Sequence, residues 1–401
     1  MELFSLGDLY LSDFLAEGEE PRCAPVEMKL MYDTATSLVR LETPASPEFM
    51  YGRYWYRSGI NDSMKEELKG IVESITKVKK VRPTDVWLDI ACNDGTLLSY
   101  VPEGVVKIGV DPVDDSFKEE AEKTGAQIVQ DFFSADAYPL EVPAWVVTCI
   151  AMFYDLDDPA PFLADVYKVM HDDGLFVLQM SYTPLMLAQV AFDNICHEHI
   201  YYYTLKTLSG VLRKAGFKVV DCQLNDVNGG SFRVYAMKDV GDVTTFGTQP
   251  YRDVCRFRVE STLAHEEATL INERSAWWKF NSKIEELKKQ TVEFITQVKA
   301  EGKTVWGYGA STKGNTLLQY FGLDNTLIDG IAERSPYKFG LRTIGTNIPI
   351  YSEEDMRAAA PDYLLVLPWH FISEFVQREQ VFLDGGGHFI VPCPVFKVIG
   401  K

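Results

Sequence analysis

Apolar residues recur at spacings of three and four between residues 62 and 80, at Met64, Leu68, Ile71, Ile75 and Val78. That period predicts an amphipathic helix, ended by Pro83. Beyond it the apolar residues gather into short runs. Val86–Ala91, Val105–Val110, Gln127–Val129, Trp145–Ala151 and Leu175–Met180 predict five strands, with helical stretches reaching about residue 124 and over 158–170. Residues 217–223 and 231–236 are two more strands, split by Asn225-Asp-Val-Asn-Gly-Gly230, which predicts an antiparallel pair at a sheet edge. Residues 256–300 carry many charges and almost no Gly or Pro, the pattern of a helical connector broken once. A new unit opens at Lys303, with later strands at Leu327–Ile331, Tyr363–Leu367 and His388–Val391. Residues 1–60 show no period and predict an irregular lobe, dense in aromatics over 51–59.

Short apolar strands alternating with helices predict an α/β fold with a parallel doubly wound sheet. A second, C-terminal α/β domain and a small N-terminal lobe complete it. The expected division is 1–61, 62–240, 241–300 and 301–401, and 401 residues suffice for two or three domains. The net charge of −19 argues against a nucleic-acid partner, which needs a basic face. No run of 18 apolar residues occurs, so no membrane span is expected. The start, Met-Glu-Leu-Phe-Ser-Leu-Gly-Asp, lacks the basic and apolar regions of a leader. Seven scattered cysteines without a Cys-x-x-Cys pair fit free thiols in the cytoplasm and give no support to a metal site. Oligomeric state is left open.

Two segments carry the chemistry. Asp89-Ile-Ala-Cys-Asn-Asp-Gly-Thr-Leu-Leu98 follows the first strand, where small residues let a backbone approach a ligand. Asp89, Ala91, Asn93, Asp94 and Gly95 form this loop; Asp111 ends the second strand and can accept from ribose hydroxyls, and Asp131 follows the third and can meet an adenine amino group. So acidic a loop suits a cationic cofactor such as S-adenosylmethionine, and the spacing is not that of an NAD fingerprint. The second segment is His197, Glu198 and His199, followed by Tyr201, Tyr202 and Tyr203. Imidazole beside carboxylate is the composition of a general base near neutral pH. In the C-terminal unit, Val305-Trp-Gly-Tyr-Gly-Ala-Ser-Thr-Lys-Gly314 reads as strand, small-residue loop and helix start, a place for a phosphate, with charge from Lys313 and further help from Arg334, Arg342 and His370.

These motifs resemble those of the sugar C-methyltransferases, over nearly the whole chain. The matching segments are Asp89–Leu98, Phe192-Asp-Asn-Ile-Cys-His-Glu-His199, Asn228-Gly-Gly-Ser-Phe-Arg233 and Gly307-Tyr-Gly-Ala-Ser-Thr-Lys-Gly-Asn-Thr316. The resemblance implies a class I methyltransferase sheet with Rossmann-like winding, S-adenosylmethionine as cofactor, and a nucleoside-diphosphate deoxy keto-sugar methylated on carbon. It implies His199 as the base with Glu198 beside it, and a tyrosine among Tyr51, Tyr54 and Tyr56 in the active site. Asn228 and Arg233 become substrate contacts, and the loop around Ser311, Thr312 and Lys313 holds the nucleotide-sugar. The chain departs from the family in its first lobe. Leu6-Gly-Asp-Leu-Tyr-Leu-Ser-Asp-Phe14 matches the middle of the family's zinc domain, but the first cysteine pair would precede Met1, and Asp33 and Thr36 stand where the second pair belongs. The lobe is therefore expected to be a remnant that holds no metal. Cys196 stands where some relatives have a tyrosine.

O-methyl transfer to a small metabolite is the second functional possibility, and a non-catalytic S-adenosylmethionine-binding module the third. A nicotinamide oxidoreductase built on the C-terminal loop ranks below them, because that loop lacks a third spaced glycine.

Overall fold

A computed structural model describes residues 1–46, 50 and 55–400. The N-terminal lobe is not irregular. Strands β1 (Glu2–Leu9), β3 (Val26–Tyr32) and β4 (Val39–Leu41) form an antiparallel sheet, with β2 (Phe14–Leu15) between the first two in sequence. Register shifts between Glu2 and Phe4 and between Ser5 and Asp8 break the alternation, so no strand period was visible in the sequence.

Helix Asp62–Val78 buries Leu68, Ile71, Val72, Ile75 and Val78, the expected apolar face. Then follow β5 (Val86–Ile90), β6 (Val106–Val110), β7 (Gln127–Val129), β8 (Ala144–Ile150), β9 (Met170–Ser181), β10 (Tyr201–Tyr202), β11 (Phe217–Asn225) and β12 (Ser231–Lys238). Seven of them form one sheet in the order β11-β12-β9-β8-β5-β6-β7. β5 to β9 run parallel, and β12 is antiparallel to both its neighbours. This is the doubly wound sheet expected, with strand order reversing between β5 and β8. Every residue of β5 is buried, as a strand covered on both faces requires. The fifth strand starts earlier than its apolar run, at Met170.

The connector starts at Gln249 rather than 256. Its two helices, Gln249–Ala268 and Arg274–Ala300, part around Leu270, whose φ is +53°. Glu266 ties the first helix to the sheet domain. Its buried carboxylate accepts from Tyr182 Oη (2.7 Å) and from the main-chain N–H of Leu205 and Lys206.

The C-terminal unit contains β13 (Val305–Tyr308), β14 (Gly330–Glu333), β15 (Arg342–Thr343), β16 (Ile350–Ser352), β17 (Tyr363–Val366), β18 (His388–Val391) and β19 (Lys397–Ile399). Its sheet order is β16-β14-β13-β17-β18-β19, parallel except at β19. The strand expected at 327–331 begins later, because the Asp324 carboxylate accepts from Thr326 N and Oγ1 and holds that stretch in a turn. Here too the strand order reverses, between β13 and β17, and a ligand crevice belongs at the carboxyl ends there.

The lobe is joined to both larger units. β4 pairs with β10, immediately after the His-Glu-His segment, and β2 pairs with β15. Its apolar side chains share one core with the helix Arg274–Ala300 and the C-terminal sheet. Asp33, expected where zinc ligands would stand, closes a turn by accepting from Ala35 N (2.8 Å), and the described residues hold no cluster of three His, Cys, Asp or Glu able to bind a metal. Buried Asp13 is the lobe's polar anchor, accepting from Trp55 Nε1 (2.8 Å) and Arg22 Nε (3.1 Å). Trp55→Phe leaves that carboxylate short of a donor, and an expected loss of about 1.5–3 kcal/mol would appear as a lower denaturant midpoint at unchanged slope. No helix among the described residues is long and apolar enough to cross a membrane.

Candidate active site

The carboxyl ends of both parallel sheets open onto one cavity of about 740 Å³. Its walls come from the loops after β5, β6, β8 and β9, from residues 55–64, from Cys196, Glu198 and His199, and from the loops after β13, β14 and β17.

At the first sheet, Ala91 and Asn93 adopt positive φ (+61° and +52°), which turns the chain sharply outside β5. Asp111 braces this turn by accepting from Asn93 N (2.7 Å) and Val113 N (3.1 Å). Burial nevertheless raises its pKa. Asp89 accepts from Thr148 Oγ1 (2.6 Å), and burial pushes its pKa up to about 7. Asp89, Ala91, Asn93 and Asp111 all line the cavity. Asp94 and Gly95 do not. Asp94 accepts from Gly59 N (2.7 Å), while Asn93 accepts from Ser58 N and donates to Tyr56 O, both at 3.0 Å. These two side chains fasten the segment 56–59 over the loop. Gly95 packs on Ala121, which an added Cβ would meet at 2.6 Å. Asp131 is exposed outside the wall, and the two apolar residues after it, Phe132 and Phe133, line the cavity.

The His-Glu-His segment divides. His199 faces the cavity, and its Nδ1 lies 2.9 Å from the main-chain oxygen of Asn194. That bond requires the proton on Nδ1, which leaves Nε2 as an acceptor. The ring packs on Tyr154 with centroids 4.2 Å apart, and Ile200 N donates to Tyr154 O (2.9 Å). Burial and the Lys313 cation hold the imidazole down at about pKa 3, so it is neutral throughout the physiological range. Glu198 also lines the cavity, and burial raises its pKa. His197 turns away toward the lobe, against the backbone of Val26 and Leu9. It is outside the cavity wall, so its link to the site runs through the lobe.

From the second sheet, Lys313 reaches across, and its Nζ donates to Asn194 Oδ1 at 2.6 Å. Lys313 also lines the cavity, where the sequence suggested a phosphate contact, and its charge acts on the carboxyls of Asp155, Asp193 and Glu198. Ser311 caps the helix Thr312–Phe321 by accepting from Gly314 N (2.9 Å), so its hydroxyl has an internal partner. Thr312, Arg334 and His370 line the cavity. The exposed Arg334 guanidinium is unpaired among the described residues.

Arg233 and Arg342 are elsewhere. Arg233 is 7% exposed inside the first sheet, bonded to Glu67 Oε1 (2.6 Å) and Gln179 Oε1 (2.8 Å). Arg342 donates to Ala16 O (3.2 Å) at the seam between lobe and C-terminal unit. Tyr56 lines the cavity; Tyr51 and Tyr54 lie outside the described residues, as does the side chain of Asn228. The sequence did not single out Asp155, Gln179 or Arg378, which also line the wall. Asp155 is one of three acids in the stretch 155–158, and only the turn Phe153–Asp155 distinguishes it.

A family model described as the C-methyltransferase C-terminal domain matches residues 226–394, and one described as a methyltransferase domain matches residues 61–221. The chain is 30% identical over 370 residues to the C-methyltransferase NovU of Streptomyces niveus, covering 90% of this chain and 85% of that protein. The magnesium protoporphyrin IX methyltransferase ChlM from Synechocystis PCC 6803, solved with bound SAH, is similar over 45% of this chain and 88% of its own, at 13% identity and a TM-score of 0.35. The plantazolicin methyltransferase BpumL, solved with SAH, covers 43% of this chain and 82% of its own, at 10% identity and a TM-score of 0.35.

Proposed function

The chain belongs to the C-methyltransferases, and from that premise we propose that it methylates a carbon beside the ketone of a nucleotide-linked deoxy keto-sugar. Its first large unit is a class I methyltransferase sheet, and S-adenosylmethionine is its methyl donor. The loop 89–93 fits that donor on its own features: a backbone opened by positive φ, two carboxylates for a cationic, hydroxyl-bearing ligand, and the Phe132–Phe133 wall for a flat ring. When bound, the cofactor supplies an electrophilic methyl group.

The observation that carries the proposal is the acceptor nitrogen of His199, held neutral in a cavity onto which both sheets open. Nε2 takes the proton from the carbon beside the ketone. Asn194 O keeps the ring aimed while it becomes charged, and Tyr154 packs against its face. At the far side the N-terminus of the helix Thr312–Phe321 and Arg334 offer donors and charge for a diphosphate. Two partners held in one cavity gain the advantage of proximity, roughly 7–11 kcal/mol in favourable cases. No metal has a part in this scheme. The seven cysteines are free, which fits a cytoplasmic protein.

The test is product NMR after incubation with methyl-labelled S-adenosylmethionine and thymidine- or guanosine-diphosphate 4-keto-6-deoxyhexoses. A label in the range of a carbon-bound methyl is expected; an O-methyl signal would instead select the hydroxyl as acceptor. For the cofactor, Asp111→Ala is expected to weaken S-adenosylhomocysteine binding by about tenfold or more in calorimetry, the worth of one lost charged hydrogen bond. Equal affinity would remove Asp111 from the cofactor site.

A further inference from the structure

Asp155 and Glu198 approach the cavity from two segments clamped together by the Ile200 N to Tyr154 O bond and by the packing of His199 on Tyr154. Both line the cavity, and each keeps one buried oxygen, Asp155 Oδ1 and Glu198 Oε2, without a hydrogen-bond partner among the described residues. Burial first, and then the charge of Glu198, disfavour an ionised Asp155, and protonation of Asp155 relieves both. Lys313 is the cation that faces both, and His199 is the neutral neighbour.

Building on the enolate mechanism above, we propose that Asp155 is protonated while Glu198 is ionised, and that Asp155 presents its proton to the ketone oxygen as the hydrogen-bond donor that stabilises the enolate. The charge falls on Glu198 because its carboxylate form has more support: its own backbone N–H and the Cys196 thiol both hydrogen-bond it. Asp155 has no such donor, and burial together with Glu198 raises its pKa well above the carboxylate range. The step balances within the site. The C–H bond breaks and its proton goes to His199 Nε2; the C–H electron pair becomes the carbon–carbon double bond; the carbonyl π pair moves to oxygen, which accepts the hydrogen bond from Asp155. One imidazolium and one enolate result. Burial weakens His199 as a base, and a donor at the ketone oxygen lowers the cost of the enolate it has to form.

The experiment uses the full chain without S-adenosylmethionine. Infrared difference spectra of wild type against Asp155→Ala should show the carbonyl stretch of a protonated carboxylic acid at neutral pH. Exchange of the hydrogen beside the ketone is then followed in deuterated water with a nucleoside-diphosphate 4-keto-6-deoxyhexose. Asp155→Ala should slow it about 10²–10³-fold, as loss of an oxyanion donor does. Asp155→Asn keeps a neutral donor and should stay within about tenfold of wild type. S-adenosylhomocysteine affinity unchanged in both variants separates this from misfolding, and Asp155→Asn decides the matter where Asp155→Ala is unstable. An absent acid band, an Asn variant as slow as Ala, or an Ala variant at the wild-type rate overturns the proposal. A wild type that exchanges nothing sinks the enolate mechanism itself, and the donor role with it.

Discussion

Replacing His199 with Asn is expected to lower turnover by about 10²–10⁴-fold while S-adenosylhomocysteine binding stays at the wild-type level. The imidazole lines the cavity but is bonded behind, through Nδ1 to Asn194 O, so its removal deletes the acceptor Nε2 and little of the wall. The loss should fall on kcat and on solvent exchange beside the ketone alike, because both need the same proton removed. The low pKa of this histidine, about 3, adds a second signature. A group whose folded pKa is depressed is in its basic form above that value, so the acid limb of kcat/KM should show no inflection near the ordinary imidazole pKa of about 6.5. His197→Asn supplies the contrast. That ring lies against the lobe's backbone, so its loss should move the melting midpoint more than the rate. Turnover of His199→Asn near wild type, or persistent exchange, would show that the proton leaves through another group, and Tyr154 and Glu198 would be next in line.

The sequence made the first sheet legible because its strands are covered on both faces. β5 reads as a short apolar run with Asp89 next to its end, and the acids at 89 and 111 mark the carboxyl ends of the strands where a ligand belongs. The lobe was illegible for a matching reason. β1 is bulged twice, β2 and β10 are two residues long, and their partners lie far away in the chain. Arg233 illustrates how a motif can mislead about place. It follows a glycine turn, as a substrate contact might, but β12 is an interior strand between β11 and β9. A guanidinium there must be paired, and Glu67 on the preceding helix pairs it. Asp155 had no distinguishing neighbour at all. Its position beside Glu198 depends on two segments about forty residues apart meeting through Ile200 and Tyr154.

Lys313 joins the two sheets chemically, and its removal is expected to have the second largest effect. Nζ donates to Asn194 Oδ1, and the main-chain oxygen of the same Asn194 holds His199. The ammonium also faces the carboxyls of Asp155, Asp193 and Glu198. Lys313→Met therefore removes a hydrogen bond from the residue that aims the base, and leaves the acidic cluster without its cation. Truncating one partner of a buried charged group typically costs about 2–5 kcal/mol, so a fall in kcat of about 10²–10³-fold is expected, with KM for the nucleotide-sugar changing by less than about tenfold. The split is what makes the outcome informative. A phosphate ligand, the role its loop suggests from sequence, would show the reverse: a raised KM, weaker binding of the free nucleoside diphosphate, and kcat nearly intact. Lys313→Arg keeps the charge but not the reach of a single ammonium to Asn194 Oδ1, so it should restore stability better than rate. Calorimetry with the nucleoside diphosphate beside steady-state kinetics on both variants measures the two roles separately. If binding collapses while kcat holds, the bridge from the C-terminal loop to Asn194 serves the phosphate and not the base.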